Sequence, residues 1–404
     1  MSEENQSKNY DIVVVGGAGH VGLPLALSFA DKGQNVLIND LNQATMDTIA
    51  GGTVPFFEEG AEEMLARTLG AGTISFSADV GEIASASTII VTIGTPVDEF
   101  LNPSHGVIVD CFKTLLPYLS NDHLIVLRST IFPGATAWLQ RFLADAGCNP
   151  LIAFCPERVV QGKGIVELAQ LPQIVSGMSP EAVEKARALF SIVSPEEVLL
   201  EPMEAEFAKL FDNCYRYIHF SISNQLYMIS NSAGVDFNRI VDGMSYKYPR
   251  SQGIPRPGFA AGPCLFKDTM QLSAFAKNQF SLGLAAMQIN EGLVLYLVEQ
   301  LRERFALAGM TVGLLGMAFK PNSDDVRASL SYKMKKTLLL HAKSVLTTDP
   351  NVTTDDELMD LKTVLDQSDV LILCVPHDEY KNLETGDTPV VDVWRFLEHA
   401  NRVL

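Results

Sequence analysis

Near its start the chain reads strand, glycine turn, helix, strand, and this run constrains the fold more than any other stretch. An apolar run from Asp11 to Val15 leads directly into Gly17-Ala18-Gly19-His20-Val21-Gly22, then LPLALSFADKG at helical spacing, then NVLIND ending in Asp40. Such a βαβ unit commits the chain to a parallel sheet, because parallel neighbours need a crossover helix. In the turn, Gly17 is expected to permit the tight bend and Gly19 to let a pyrophosphate approach backbone N–H groups at the positive helix end. Gly22 is expected to allow close helix–sheet packing, with His20 and Val21 completing the cofactor contacts. Asp40 can accept from both ribose hydroxyls and selects NAD over NADP, because a 2′-phosphate would face its charge. Glycine turns also arise from packing alone; strand, helix and terminal acid together carry the dinucleotide reading.

Strand-like runs recur at STIIVTIG, HLIVLRST and PLIAFCPE, separated by helical patterns such as AEEMLARTL and GATAWLQRFLADAG. This is how a doubly wound α/β domain reads. From about residue 200 the texture turns helical without strands, apart from KYPRSQGIPRPGFAAGPC, whose Pro and Gly content predicts a loop. Four strand candidates then follow, TVGLLGMAF, SVLTTDP, DVLILCVP and PVVDVW. The fold class expected is α/β, with two Rossmann-like doubly wound parallel sheets joined by a central helical region. The expected boundaries are 1–200, 201–308 and 309–404, consistent with a 404-residue chain too long for one core.

The formal net charge of −18 opposes a phosphate backbone or an anionic lipid surface, so neither nucleic acid nor membrane is an expected partner. The N-terminal MSEENQSKNY is polar, and no stretch reads as long enough to cross a bilayer. Hydrophobic residues make up 47% and charged ones only 19%, which leaves room for a sizeable subunit contact. The six cysteines are scattered without a CxxC pair or a matching histidine cluster, so reduced thiols in a cytoplasm are expected, and no metal.

Several residues could carry chemistry. A lone cysteine is more often a small hydrophobe than a nucleophile. Cys264, however, sits in PGFAAGPCLFKD on a glycine turn, with Lys267 a helical turn away to favour a thiolate and Asp268 beside it. Glu157 in FCPERVV follows a sheet strand, where α/β sheets place ligands and a carboxylate can activate water; a solvated charge is the plain alternative. Lys209 and Asn213 lie four apart in AEFAKLFDNCYR, so they share a helix face and either converge on one oxyanion or form a polar stripe. Lys320, Asp325 and Arg327 in GMAFKPNSDDVRAS follow a strand, as a diphosphate grip or subunit contact would, or as ordinary loop charge.

Taken together, VVVGGAGHVGLPLA, VTIGTPVDE, LRSTIFPGAT, CPERVV, EAEFAKLFDNCYR, PGFAAGPCLFKD and GLLGMAFKPNSDDVRAS resemble the UDP-glucose and GDP-mannose dehydrogenases, in order and across nearly the whole chain. The resemblance implies an N-terminal NAD-binding domain, a central dimer-forming region and a C-terminal domain holding the nucleotide of the sugar. It implies four-electron oxidation of a nucleotide-sugar C6 hydroxymethyl to the uronate through a thiohemiacetal and a thioester on Cys264. Lys209 and Asn213 then look like oxyanion partners, Glu157 and Thr130 like the pair handling protons and water, and Asp268 like a second water-activating carboxylate. Thr95, Pro96, Ser129, Thr130, Lys267 and Arg327 look like cofactor-side contacts. Arg158, Val159, Arg250, Gly258, Phe319 and Lys320 look like sugar-nucleotide contacts, together with Glu157, Lys209 and Asn213.

Two segments depart from the common pattern. Ala260, Ala261 and Pro263 stand where members carry more glycine. CPERVVQGKG resembles members that oxidise UDP-N-acetylhexosamines, whereas Lys267-Asp268 resembles the UDP-glucose type. A two-electron 3-hydroxyacid-type dehydrogenase, which needs no thiol, and a non-catalytic nucleotide-binding protein are the rival readings.

Overall fold

The structure is a computed structural model that describes residues 10–260 and 262–404; the polar leader up to residue 9 and Ala261 lie outside the described residues. The chain divides into two compact units, Met1–Phe211 and Asp212–Leu404.

The first unit is built on eight strands: β1 (Tyr10–Val15), β2 (Val36–Asn39), β3 (Ile74–Ser77), β4 (Ala86–Val91), β5 (Leu124–Leu127), β6 (Leu151–Phe154), β7 (Gln173–Gly177) and β8 (Glu197–Leu199). Their spatial order is β3-β2-β1-β4-β5-β6-β7-β8, reversing direction between β1 and β4 as a doubly wound sheet does. All pairings are parallel except β6 with β7. The central strands are continuous Val, Ile and Leu runs buried on both faces, as helices on both sides require. Those helices are α1 (Gly22–Asp31), α2 (Gln43–Ala50), α3 (Ala61–Ala71), α4 (His105–Leu115), α5 (Ala135–Asp145), α6 (Gly164–Leu168) and α7 (Pro180–Phe190). The sequence reading did not anticipate β3, β7 or β8. ISFS is short and half polar, and β8 is an exposed edge strand without an apolar signature.

Helix α8 (Pro202–Ser232) gives its first turns to the first unit and the remainder to the second. There, Glu206 is fully buried and accepts from the Gly134 and Thr136 amides and the Thr136 hydroxyl, satisfying donors at the start of α5.

In the second unit, α9 (Phe237–Ser245), α10 (Gly262–Phe275) and α11 (Ser281–Arg304) precede a sheet of β9 (Thr311–Leu315), β10 (Ser344–Thr348), β11 (Val370–Leu373), β12 (Pro389–Val391) and β13 (Asn401–Arg402). The order is β10-β9-β11-β12-β13, parallel throughout, with α12 (Leu330–Leu338) and α13 (Leu361–Gln367) as further helices. Leu293, Leu297 and Leu301 of α11 pack with Val312, Leu314 and Ile372 of the sheet in one core.

Two expectations need correction. The Pro/Gly segment expected to remain a loop through Cys264 becomes helix at Gly262, because proline is compatible with the first turn, where its missing N–H costs nothing. In addition, α11 is long and apolar enough to span a bilayer by length and composition, contrary to the sequence reading. Leu293, Leu297 and Leu301 face the second unit's core, whereas Leu282 and Leu295 are exposed.

Candidate active site

The glycine turn follows β1 directly. Gly16, not Gly17, takes the left-handed conformation, at φ +75°. Gly17 is required for closeness, since a Cβ there would stand 2.7 Å from the Val14 carbonyl oxygen. At Gly22 a Cβ would meet the Gly17 Cα at 2.5 Å and the Gly16 oxygen at 2.6 Å, so the helix packs onto the turn only as glycine. Gly19 is different: it is exposed, and nothing lies nearer than 3.8 Å to its missing Cβ, which leaves room for a ligand against the backbone. Asp40 lies one residue beyond β2, half-buried, accepting from the Ala18 amide at 3.1 Å and the Asn42 amide at 3.0 Å. An acid already oriented on the turn, an open Gly19 and a helix start beside it fit the pyrophosphate and ribose of a dinucleotide. Val21 immediately precedes α1, and the His20 ring lies 4.1 Å from Phe56, with Gln161 3.1 Å from its Nδ1.

Beyond β4, β5 and β6 the structure gathers further predicted residues. Thr95 donates its hydroxyl to the Thr130 carbonyl at 2.6 Å, and Ser129 donates to the Ile93 carbonyl at 2.6 Å. Pro96 is exposed, and its carbonyl accepts from Ser104. Glu157 is held more firmly than a solvated charge would be. One oxygen takes the Arg128 guanidinium at 2.6 and 3.1 Å, and the other takes the Arg158 and Val159 amides at 2.7 and 3.0 Å. Its carboxylate therefore shapes the segment carrying Arg158 and Val159. The Arg158 guanidinium donates to the Pro172 carbonyl.

Arg128 itself was missed in the sequence reading. It is fully buried, bonds the Cys155 and Pro156 carbonyls and Gln173, and stacks on Phe190. Its signal is a cation closing the apolar strand LIVL just where PLIAFCPE brings a carboxylate alongside.

In the second unit Cys264 is exposed in the first turn of α10, where the positive end of the helix dipole favours an anion. The other cysteines differ. Burial pushes Cys155, Cys214 and Cys374 up to about 12 and Cys111 up to about 11, so the plain packing reading holds for them. One turn along α10, Asp268 is 1% exposed and receives Asn213 Nδ2 at 2.5 Å and Lys267 Nζ at 3.1 Å. The ammonium expected to favour the Cys264 thiolate forms its ion pair with this carboxylate.

Phe319 lies against the helix start: a Cβ on Gly262, itself at φ +91°, would stand 2.2 Å from the Phe319 ring. Ala328 accepts from the Gly262 amide at 3.3 Å. Arg327 is gripped by Asp325 through Nε at 3.0 Å to both oxygens and Nη2 at 2.6 Å. That hydrogen bond raises the Arg327 pKa, with smaller electrostatic contributions from the Asp325 charge and from Cys264. The structure therefore unites the Cys264 turn with Phe319, Asp325 and Arg327, and Asn213 with Asp268. Lys320 follows Phe319, half-buried.

The remaining predicted positions are placed as follows. Lys209 is half-buried on α8, one turn before Asn213. Arg250 is exposed and lies over the ring of Tyr248. Gly258 is buried, with its amide and carbonyl both bonded to Asn224, and a Cβ there would stand 2.3 Å from the Trp394 ring; packing alone accounts for a glycine there.

Comparison with known proteins agrees with this geometry. Three models of the UDP-glucose/GDP-mannose dehydrogenase family match in order: the NAD binding domain at 11–194, the central domain at 203–292 and the UDP binding domain at 313–399. A UDP-N-acetyl-D-mannosamine dehydrogenase of Yersinia pestis is 26% identical over 96% of this chain and 100% of its own length. Among solved structures, a UDP-D-ManNAc dehydrogenase from Pyrococcus horikoshii aligns with a TM-score of 0.87 at 26% identity, covering 95% of this chain and 94% of that one. A UDP-glucose dehydrogenase from Pyrobaculum islandicum aligns with a TM-score of 0.90 at 25% identity, covering 100% and 98%. With a dinucleotide turn in one unit and an exposed helix-start thiol in the other, the chain belongs to the UDP-glucose/GDP-mannose dehydrogenase family and is an NAD-dependent oxidoreductase of nucleotide sugars.

Proposed function

We propose that this enzyme oxidises the C6 hydroxymethyl of a UDP-N-acetylhexosamine to the carboxylate, in two hydride transfers joined by a covalent stage on Cys264. The observation that carries this reading is the exposed Cys264 thiol in the first turn of α10, a helix start against which the Phe319 ring lies. When bound at the Gly17–Gly22 turn, NAD supplies the hydride acceptor, once for each oxidation.

The protein's residues do the rest. Lys209 opposes the charge growing on the C6 oxygen as its proton leaves to water, and an aldehyde results. The Cys264 thiolate adds to that carbonyl, forming a C–S bond and, after protonation, a thiohemiacetal. Loss of a second hydride and the hydroxyl proton leaves a thioester. Water, activated by Asp268 or by Glu157 with Thr130, attacks the acyl carbon, releasing the uronate and restoring the thiol. Lys209 and Asn213 face the tetrahedral oxyanion in this scheme, and the helix start stabilises the departing thiolate.

The N-acetylhexosamine is favoured by CPERVVQGKG and by relatives named as UDP-N-acetyl-D-mannosamine dehydrogenases. UDP-glucose is the second reading, favoured by Lys267-Asp268. A homodimer is supported by Tyr215, Ile222, Leu226 and Ile229, which lie exposed along α8 and would be costly left in water. The six cysteines, none in a disulfide, suit a reducing cytoplasm.

The test is NADH yield with UDP-N-acetylmannosamine, UDP-N-acetylglucosamine, UDP-N-acetylgalactosamine, UDP-glucose and GDP-mannose side by side. Two NADH per UDP-N-acetylhexosamine is expected. One NADH per sugar returns the two-electron reading, and exclusive turnover of UDP-glucose or GDP-mannose overturns the substrate assignment.

A further inference from the structure

The two units repeat one device and use it differently. In each, a left-handed glycine follows the first sheet strand, Gly16 at φ +75° and Gly316 at φ +92°, and an acid just beyond a neighbouring strand accepts from the turn it opens. Asp40 is half-buried and turned to the Ala18 amide. Its counterpart Asp349 is wholly buried and saturated: it accepts from the Met317, Ala318, Asn351 and Val352 amides and from His377 Nε2 at 3.1 Å. No oxygen of Asp349 is left for a ribose, so this acid has become an anchor.

His377 extends the anchor. Its Nδ1 accepts the Asn322 amide at 3.1 Å, which fixes the proton on Nε2 and directs it to Asp349. Asn322, left-handed at φ +52°, is clasped again by Asp378: its Nδ2 donates at 2.7 Å and its Oδ1 accepts the Asp378 amide at 3.1 Å. Residues 317–322 are thereby pinned at both ends, with Phe319 and Lys320 between the pins and the Phe319 ring on the helix start that carries Cys264.

We propose that His377 and Asp349 form a positioning pair that sets Lys320 for the nucleotide sugar and Phe319 against the Cys264 turn. This rests on the reading of Lys320 as a sugar-nucleotide contact. The pair touches no substrate; it acts through the backbone of the loop it holds.

A double-mutant cycle on the full-length enzyme tests it, reading KM for the nucleotide sugar, KM for NAD and kcat in wild type, His377→Asn, Lys320→Ala and the double variant. The asparagine keeps an acceptor for Asn322 and loses the reach to Asp349. Each single change is expected to raise the sugar KM about five- to tenfold, with the NAD KM within about twofold and the double variant no worse than Lys320→Ala alone. Multiplying effects in the double variant, or an unmoved sugar KM in His377→Asn, would reduce the pair to scaffold and overturn the proposal. An unmoved sugar KM in Lys320→Ala sinks the role of Lys320 and the positioning scheme with it; the single variant alone identifies that failure. If His377→Asn does not fold, Asp349→Asn replaces it, since the amide keeps the shape of the carboxylate and removes the charge that His377 Nε2 faces. The same selective, non-additive rise in sugar KM is expected, and its absence overturns the proposal.

Discussion

Two glycines of the dinucleotide turn, three residues apart, should fail in opposite ways when each becomes alanine. At Gly22 the new methyl would lie 2.5 Å from the Gly17 Cα, 2.6 Å from the Gly16 oxygen and 2.8 Å from the Thr92 hydroxyl. Two of those neighbours are backbone and cannot turn aside, so the helix start must lift from the turn. Overpacking of this sort costs about 2–3 kcal/mol, or a Tm loss of roughly 4–12 °C for a unit of this size. At Gly19 the nearest atom is 3.8 Å away, so Gly19→Ala should leave Tm within about 1 °C. The methyl would instead occupy the approach of the pyrophosphate to the turn amides and weaken NAD by at least about tenfold. Differential scanning fluorimetry without cofactor and NAD titration by calorimetry separate the two. Gly19→Ala losing as much Tm as Gly22→Ala while binding NAD normally would refute the assignment of a packing glycine and a ligand glycine.

Other consequences follow from the buried charges and the thiols. Arg128→Met leaves the Glu157 side chain, 12% exposed, without its cation and should cost about 3–5 kcal/mol in urea unfolding, with Arg128→Met/Glu157→Gln recovering part of it. A loss below about 1 kcal/mol would mean that the pair is not a structural anchor. Iodoacetamide at neutral pH should alkylate Cys264 well before Cys111, Cys155, Cys214 or Cys374, whose thiols burial holds protonated; peptide mapping showing Cys155 modified first would contradict this. At Asp349 burial works against the charge, yet the His377 hydrogen bond and the backbone amides outweigh it and hold the carboxyl below its ordinary 3.8. A depressed folded value contributes stability that is present above the unfolded pKa and lost as pH falls through the folded one. The fall in urea midpoint from pH 6 to pH 3 should therefore be shallower in Asp349→Asn than in wild type, and parallel profiles would disprove the linkage.

The fold was legible wherever one signal repeated. The runs at β1, β2, β4, β5 and β6 are buried on both faces and therefore apolar throughout, whereas β3, β7 and β8 are short, polar or edge-exposed and leave little trace. The glycine turn was read correctly in kind but shifted by one, because adjacent glycines give no indication of which takes the left-handed angle. Cys264 was legible as a reactive candidate, but not as a residue of a helix's first turn, since Pro263 reads as a breaker until its N1-type tolerance is considered. The partners that a buried charge finds were hidden. Arg128 and Glu157 follow the neighbouring strands β5 and β6, and Asp349 and His377 follow β10 and β11 on either side of β9, juxtapositions that the sheet order creates.

The most direct test of the account is a single-turnover experiment with Cys264→Ser beside wild type, following NADH formed and uronate released from the same nucleotide sugar. Wild type should yield two NADH per sugar and free uronate. The serine enzyme should still bind the sugar and NAD but release essentially no uronate, stalling after the first hydride or as a slow ester. Release of uronate from Cys264→Ser at the wild-type rate would contradict the covalent mechanism outright.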